Sequence, residues 1–485
     1  MTSLRHLTVK SNNPVQLISQ TARILSHING LSPILPPLRH RVLLNVKPSI
    51  ISQLTPHTVN IWSRVACLLY SGVSPSVDLI VSLDSAPSGV PESELIDLSS
   101  ESPKEIDDTN ERGGLYEHVV LGGTFDRLHA GHKILLTAAL LRCSSKLTVG
   151  VTGAQLLKNK ILPELITPIH ERIAGVQDFS HSVRSQVECN AVEIHDPFGP
   201  AIILPELECI VGSEETEKGC LAINAKRKEQ NLSELDIHLI GLVEDSNRRE
   251  GVEEDKVSSS SGRIRLLGTR LVASNKEWRR EEGPYMIGLT GGSASGKSSI
   301  GKRMAKLGFG VVDCDKLGHQ AYKSGEPAYL EIVREFGNGV VADDGSIDRR
   351  ALGGIVFSDK KYLTKLNQIV WPEIARLAKE KVLELWKEGC NVVVLDAAVL
   401  LEAEWDKDCH EVWVCVVPRV EAVKRIVDRD NKSTIEAEKR IDSQMSNQER
   451  VNMANTVFCT LWDPSETQEQ VEKAVNRLNK ELNIN

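Results

Sequence analysis

Residues Gly291-Gly292-Ser293-Ala294-Ser295-Gly296-Lys297-Ser298 form a glycine-rich loop of the Gly-x4-Gly-Lys-Ser type. The apolar run Tyr285-Met286-Ile287-Gly288-Leu289 precedes it, and Ser299 to Leu307 follow with helical spacing. Such a loop belongs to one local fold, a buried strand turning sharply into a helix. Only there do successive backbone N–H groups and a helix N-terminus converge on phosphate oxygens. In this pattern Lys297 reaches the β- and γ-phosphates of a nucleotide and the Ser298 hydroxyl ligates Mg²⁺, while Ser299 continues the first helical turn.

A second glycine turn lies far upstream. Gly122-Gly123-Thr124-Phe125-Asp126 follows the apolar run Val119-Val120-Leu121 and leads into His129-Ala130-Gly131-His132, with helical spacing from His132 to Leu141. Backbone N–H groups and the helix dipole face an anion at such a turn. Two histidines there can donate hydrogen bonds to phosphate oxygens as charge builds during nucleotidyl transfer, and neither need act as a base.

Around both turns, short apolar runs alternate with helical spacing. Strands are expected at Leu147–Val151, Cys209–Gly212 and His238–Gly241, then at Val392–Leu395 and Val412–Val416, with a helix over Glu466–Leu482. The expected fold class is α/β, with two successive parallel-sheet nucleotide-binding domains; the family resemblances carried by the flanking residues imply a Rossmann-like nucleotidyltransferase for the first and a P-loop kinase for the second. A small N-terminal region precedes them. The expected boundaries are 1–112, 113–270, a charged and helical connector at 271–284 beginning from Arg270, and 285–485.

The first hundred residues differ in character. No acidic residue precedes Asp78, while Arg5, Lys10, Arg23, Arg39, Arg41, Lys47 and Arg64 do. Leu17, Ile18, Ile24, Leu25 and Ile28 fall on one face of a helical pattern. That composition suits a mitochondrial transit segment and equally an accessory module with incidental charge. Strands expected at Val42–Val46 and Val77–Val81 mean that not all of it is a presequence. The Ser- and Pro-containing acidic stretch from Glu92 to Glu111 reads as a linker. The expected location is cytoplasm, mitochondrion or both, with association at the mitochondrial surface as one form.

A net charge of −8 argues against bulk nucleic-acid binding but allows local cationic pockets. No segment approaches the ~18 uninterrupted apolar residues of a membrane span. The ten cysteines include no Cys-x-x-Cys pair, so a disulfide scaffold or zinc ribbon is a poor reading and reduced core thiols a better one.

The stretch Gly122 to His132 resembles the nucleotidyltransferase signature, and residues 116 to 270 resemble phosphopantetheine adenylyltransferases of the eukaryotic and archaeal type. The supporting stretches are Leu157-Lys158-Asn159-Lys160, Ile194 to Pro200, Gly212 to Thr216, Ile223-Asn224 with Arg227, and Ser258 to Arg265. The resemblance implies transfer of an adenylyl group from ATP to 4′-phosphopantetheine. It places His129 and His132 on the ATP phosphates and Thr124 near the attacking phosphate, with Gly122, Gly123 and Phe125 in the turn. Either Lys158 or Lys160 would hold the phosphate of phosphopantetheine. Glu215, Ser258, Ser259 and Arg265 fall in the matching stretches. Asp196 is as well explained as a turn residue before Pro197.

Residues 285 to 480 resemble dephospho-CoA kinases through the glycine-rich loop, Asp313-Cys314-Asp315, Asp344 to Arg349, Leu400-Leu401-Glu402, and Arg429 through Arg440 to Gln444. The resemblance implies phosphorylation of a ribose 3′-hydroxyl with Asp315 as base. Arg349 and Arg440 would contact phosphates, and Arg429 and Arg440 would flank a lid. An extended Val311 to Asp315 would point Asp313 and Asp315 the same way, and Asp396 could orient Mg²⁺ through water. Trp371-Pro372 stands where bacterial members carry His-Pro, so no role of that histidine carries over.

The order of the two resemblances is that of bifunctional coenzyme A synthases, in which dephospho-CoA made at the first site is the acceptor at the second. A scaffold with one inactive domain is disfavoured by the intact Lys297, Ser298, Asp315, His129 and His132. A cytidylyl or other adenylyl transfer at the first site stays open, because the base is read by pocket shape.

Overall fold

Apolar runs of four to ten residues become parallel strands in this chain, and most of those after Tyr116 are followed by a helix. The computed structural model describes residues 115–274, 276–356 and 359–484, with segments 4–10, 24–25, 40–46, 65–66, 69–70, 77–82 and 94–97. Two units divide it, Met1–Arg263 and Ile264–Asn485.

The first unit holds two parallel sheets. Strands β1 (Leu4–Lys10), β2 (His40–Val46), β3 (Val77–Ser82) and β4 (Glu94–Asp97) pair in the order β3-β2-β1-β4. The expected strands at 42–46 and 77–81 are present. The expected linker at 92–111 needs correction at its start, since residues 94–97 add a strand to the β1 edge and their backbone groups pair there. Leu17, Ile18 and Ile28 lie outside the described residues; Ile24 and Leu25 are helical. Ile24, Val65, Leu69 and Tyr70 belong to the same apolar cluster as Val119 of the next sheet and Phe179 of the helix Ile169–Val183.

That second sheet runs β7-β6-β5-β8-β9, all parallel: β5 (Tyr116–Gly123), β6 (Cys143–Thr152), β7 (Glu188–Ile194), β8 (Cys209–Ser213) and β9 (Asp236–Ile240). Its helices are α1 (Ala130–Arg142), α2 (Ile169–Val183) and α3 (Glu217–Glu229), followed by α4 (Ser259–Leu266). Strand order reverses beside β5, which opens a crevice at its C-terminal end.

The second unit is a parallel sheet of order β11-β12-β10-β13-β14, from β10 (Tyr285–Gly291), β11 (Gly310–Asp313), β12 (Val392–Asp396), β13 (Glu411–Val416) and β14 (Thr456–Cys459). Its helices run α5 (Lys297–Lys306), α6 (Cys314–Gln320), α7 (Pro327–Phe336), α8 (Arg349–Val356), α9 (Lys360–Lys387), α10 (Arg419–Asp430), α11 (Thr434–Asp442), α12 (Asn447–Asn452) and α13 (Pro464–Leu482). Ile300 and Met304 of α5 and Val471, Val475 and Leu478 of α13 bury against Ile287, Leu289 and Phe458 of the sheet. Trp371, where the histidine is missing, is half-buried in α9, and Pro372 lies inside the same helix.

The helical connector expected from Arg270 to Gly283 is absent. Polar groups of this segment are bonded to the strand ends of the second unit instead of to each other. Gly268 N–H donates to Val457 O at 2.9 Å and Leu271 N–H to Asn455 O at 2.7 Å, while Ser274 Oγ donates to His410 O at 2.6 Å. With those donors already satisfied by tertiary partners, helical spacing of charges carries no weight.

Candidate functional sites

At the first site, β5 ends in Gly122 and Gly123, and the chain turns through two left-handed residues, Phe125 at φ 52° and Arg127 at φ 48°. Such a conformation costs free energy and needs external support. Asp126 supplies it. This fully buried carboxylate accepts from Thr167 N–H and Oγ1 at 3.0 Å and from Arg263 Nη1 at 2.7 Å. The buried Arg172 guanidinium ties the same turn down by donating to the carbonyls of Thr124, Thr152 and Thr167. Thr124 Oγ1 sits 3.2 Å from Thr152 Oγ1.

The helix α1 that follows has no side-chain cap on its first turn, since His129 at the cap position makes none. Its leading N–H groups remain available to an anion. The rings of His129 and His132 stack with centroids 3.8 Å apart, and both Nδ1 atoms are buried without a hydrogen-bond partner among the described residues. Burial pushes the His129 pKa down to about 4 and holds His132 well below the usual range. Both imidazoles are therefore neutral at pH 7 and act as N–H donors, not as fixed cations.

The distant Ser258 to Arg265 run is brought to this turn. Ser259 Oγ donates to Asp126 O at 3.0 Å, and a Cβ on Gly131 would lie 3.9 Å from Val257 O. The Ser258 hydroxyl accepts from Ser261 N–H at the start of α4. Among the cations of the run, Arg263 makes the contact; Arg265 lies two residues further on, half-buried. Lys158 and Lys160 are exposed in the turn after β6. Glu215 forms an ion pair with Lys256. Asp196 accepts from the N–H groups of Phe198 and Gly199 at 2.8 and 2.9 Å, so it serves a turn. Asp126, Arg172 and Arg263 escaped the sequence reading. The signal for Asp126 was its place inside the Gly-Gly-Thr-Phe-Asp run.

At the second site the loop Gly291 to Ser298 leaves β10 and enters α5, with Ala294 at φ 61° and Gly296 at φ 89°. A Cβ on Gly296 would come 2.7 Å from Thr460 Cγ2, so glycine is required twice over there. Ser293 N–H donates to Gln444 Oε1 at 2.9 Å, and Arg425 donates to Ala294 O and Thr460 O at 3.3 and 2.6 Å. The loop borders a cavity of about 630 Å³ that is also lined by Asp315, Arg425, Arg429, Arg440 and Gln444.

Lys297, only 8% exposed, reaches Asp315 Oδ2 at 2.8 Å and forms an ion pair with the buried Asp396. Burial works against the ammonium charge, but Asp396 and Asp315 outweigh it and raise the Lys297 pKa. Burial raises the Asp396 pKa, and Lys297 opposes that rise. Asp315 Oδ1 accepts from Ala398 N–H at 3.2 Å.

The expected extended geometry of Asp313 to Asp315 is corrected. Strand β11 stops at Asp313 and helix α6 starts at Cys314. Asp313 caps that helix through Lys316 N–H at 3.0 Å, as Asp commonly does at such a position. The two carboxylates thus have separate partners, and only Asp315 turns to Lys297. Arg440 Nε lies 3.2 Å from Ser293 Oγ, and Arg429 and Arg440 share Asp430. Arg349 is exposed at the start of α8, with its guanidinium 6.0 Å from the Tyr322 ring centre, and it is not among the residues lining the cavity. Ser298 and Ser299 lie exposed on the first turn of α5.

A phosphate loop with its lysine between two carboxylates, at the head of a parallel sheet, defines a P-loop kinase fold; a nucleotidyltransferase fold precedes it. Residues 285–460 match the profile of the dephospho-CoA kinase family and residues 120–261 that of the cytidylyltransferase-like family. The dephospho-CoA kinase of Carboxydothermus hydrogenoformans is 38% identical over 186 residues, spanning 38% of this chain and 90% of that one. Those of Geobacter sulfurreducens and Oryza sativa are 39% and 34% identical, over 39% and 41% of this chain and 95% and 86% of theirs. The chain belongs to the dephospho-CoA kinase family.

Proposed function

We propose that the chain catalyses two successive steps of coenzyme A biosynthesis: adenylyl transfer from ATP to 4′-phosphopantetheine, then phosphorylation of the 3′-hydroxyl of the resulting dephospho-CoA. Its kinase family supports the second step. The observation that carries the first is the neutral His129–His132 stack at a helix start without a side-chain cap, with both Nδ1 atoms lacking a partner among the described residues. Neutral N–H donors in a dry crevice gain strength as charge grows on a phosphate oxygen, and they do not bind the ground state as tightly as cations would.

At the second site, incoming ATP phosphates compete with Asp315 for Lys297. Once released, Asp315 can take the proton of the acceptor hydroxyl while Arg440 and Arg429 offset phosphate charge. The exposed hydroxyl of Ser298 on the first turn of α5 suits Mg²⁺, a hard cation that takes few protein ligands beside phosphate oxygens. Bound there, the ion would neutralise charge on the transferring phosphoryl group.

The test is incubation of the full chain with ATP, Mg²⁺ and 4′-phosphopantetheine, following pyrophosphate, dephospho-CoA and coenzyme A. Lys297→Ala should stop at dephospho-CoA, and His132→Ala should abolish its formation. Coenzyme A made by Lys297→Ala would overturn the kinase assignment. The cytidylyltransferase-like profile favours one other reading of the first site, CTP as donor; a higher rate with CTP than with ATP would establish it. The basic, acid-free start of the chain supports mitochondrial capture, which a fluorescent fusion of residues 1–110 would score.

A further inference from the structure

The second unit carries a cavity of about 450 Å³ that the phosphate site does not use. Its size falls within the usual range for small-molecule pockets. Trp278 and Trp405 contribute indoles, Met286 a thioether, and Ala378, Val382 and Leu383 one face of α9. The segment bearing Trp278 is held in place: Trp278 Nε1 donates to Gly283 O at 3.0 Å, and Arg280 Nε to Asn391 Oδ1 at 3.0 Å.

The polar groups narrow the ligand class. His410 lines the cavity, and its Nδ1 accepts from Met286 N–H at 2.9 Å. Burial lowers its pKa, so the ring is neutral and its one proton sits on Nε2. That Nε2 has no hydrogen-bond partner among the described residues, which leaves one fixed donor. At the rim, Lys379 pairs with Asp408 at 3.3 Å and Arg279 with Glu282 at 3.5 Å. Glu277 is the lining carboxylate left without an ion pair among the described residues, so an anionic ligand is disfavoured.

Cys314 and Leu395 form part of the same wall, and they are the chain neighbours of Asp315 and Asp396, the two carboxylates on Lys297. A molecule pressing on this wall acts on the backbone that sets the lysine clamp. We propose that the cavity is a regulatory site for a neutral aromatic molecule bearing a single carbonyl acceptor. The indoles take the ring, and His410 Nε2–H takes the carbonyl. The regulatory part rests on the kinase assignment; binding is measured without it.

The test uses the full chain and 4-fluoroacetanilide as probe, with ¹⁹F line broadening for binding and initial kinase rate at subsaturating dephospho-CoA for coupling. Ala378→Leu fills the cavity. Leu383→Trp, at a half-exposed position, narrows its mouth without burdening the core. The wild-type line should broaden on binding, and each folded variant should weaken binding by about ten-fold or more. Saturating probe should change the wild-type kinase rate by about five-fold, with no change in the variants. Absence of broadening up to the solubility limit, or equal broadening in Leu383→Trp, overturns the site. Binding with an unchanged kinase rate overturns its regulatory role and leaves the kinase assignment intact.

Discussion

Asp126 and Arg263 stand 137 residues apart in the chain and meet at 2.7 Å, each side chain only 1% exposed. The pair joins the glycine turn after β5 to the serine-rich helix α4. It brings that serine-rich run to the glycine turn.

Removing one partner of that pair strands a buried charge. Asp126→Asn and Arg263→Met should each cost about 3–5 kcal/mol of stability in the first unit. Urea unfolding followed by Tyr and Trp emission would measure it. Adenylyl transfer should be lost in both, while Arg265→Met should keep the fold.

Stability should depend on pH through His129. Its folded pKa of about 4 lies below the ordinary 6.5. Above pH 6.5 both states are neutral and the full stability is present. As pH falls toward 4, the unfolded chain takes up a proton that the folded chain refuses, so stability drops. A loss on the order of 2 kcal/mol from this group is expected across that window; His129→Asn should remove that share and leave the part contributed by His132, which burial also holds low.

Lys297 has a structural role beside its proposed catalytic one. Lys297→Met leaves Asp396 buried without its cation and should destabilise the second unit. Adding Asp396→Asn should restore much of that stability without restoring kinase activity. Asp315→Asn, at a half-exposed carboxylate, should leave the melting temperature nearly unchanged and lower kcat by about 10²–10⁴.

Glycine substitutions separate backbone strain from steric blockage. Gly268 has φ +72°, and a Cβ there would lie 2.2 Å from Gln470 O; Gly308 has φ +93° with open space around it. Gly308→Ala should cost about 1 kcal/mol. Gly268→Ala should cost clearly more, about 3 kcal/mol or above, because carbonyl and helix must also move. Thermal melts of the two variants give the comparison.

Strands such as Val392–Leu395 and Val412–Val416 were legible from apolar period alone, because they are buried on both faces, whereas the strands Glu188–Ile194 and Thr456–Cys459 and most of the helices between Pro327 and Asn452 were not read from the sequence. The loop Gly291 to Ser298 was legible because its chemistry is local. What escaped was set by distant partners. Charges from Arg270 to Gly283 suggested a helix, yet tertiary acceptors claimed its donors. Asp313 and Asp315 share a spacing and a residue type, but where β11 stops decides that one caps a helix and the other meets Lys297. Choosing Arg263 over Arg265 requires knowing that Asp126 waits for it, and no local pattern says so.

The described cysteines carry a consequence for a protein whose proposed substrates end in a sulfhydryl. Burial pushes the thiols of Cys209, Cys314 and Cys409 up to about 12 and raises Cys415 as well. Mixed disulfides form through a thiolate. By keeping these four sulfurs protonated, the fold makes them poor partners for mixed disulfides with oxidised forms of the proposed substrates; the half-buried Cys189 and Cys390 lack that degree of cover.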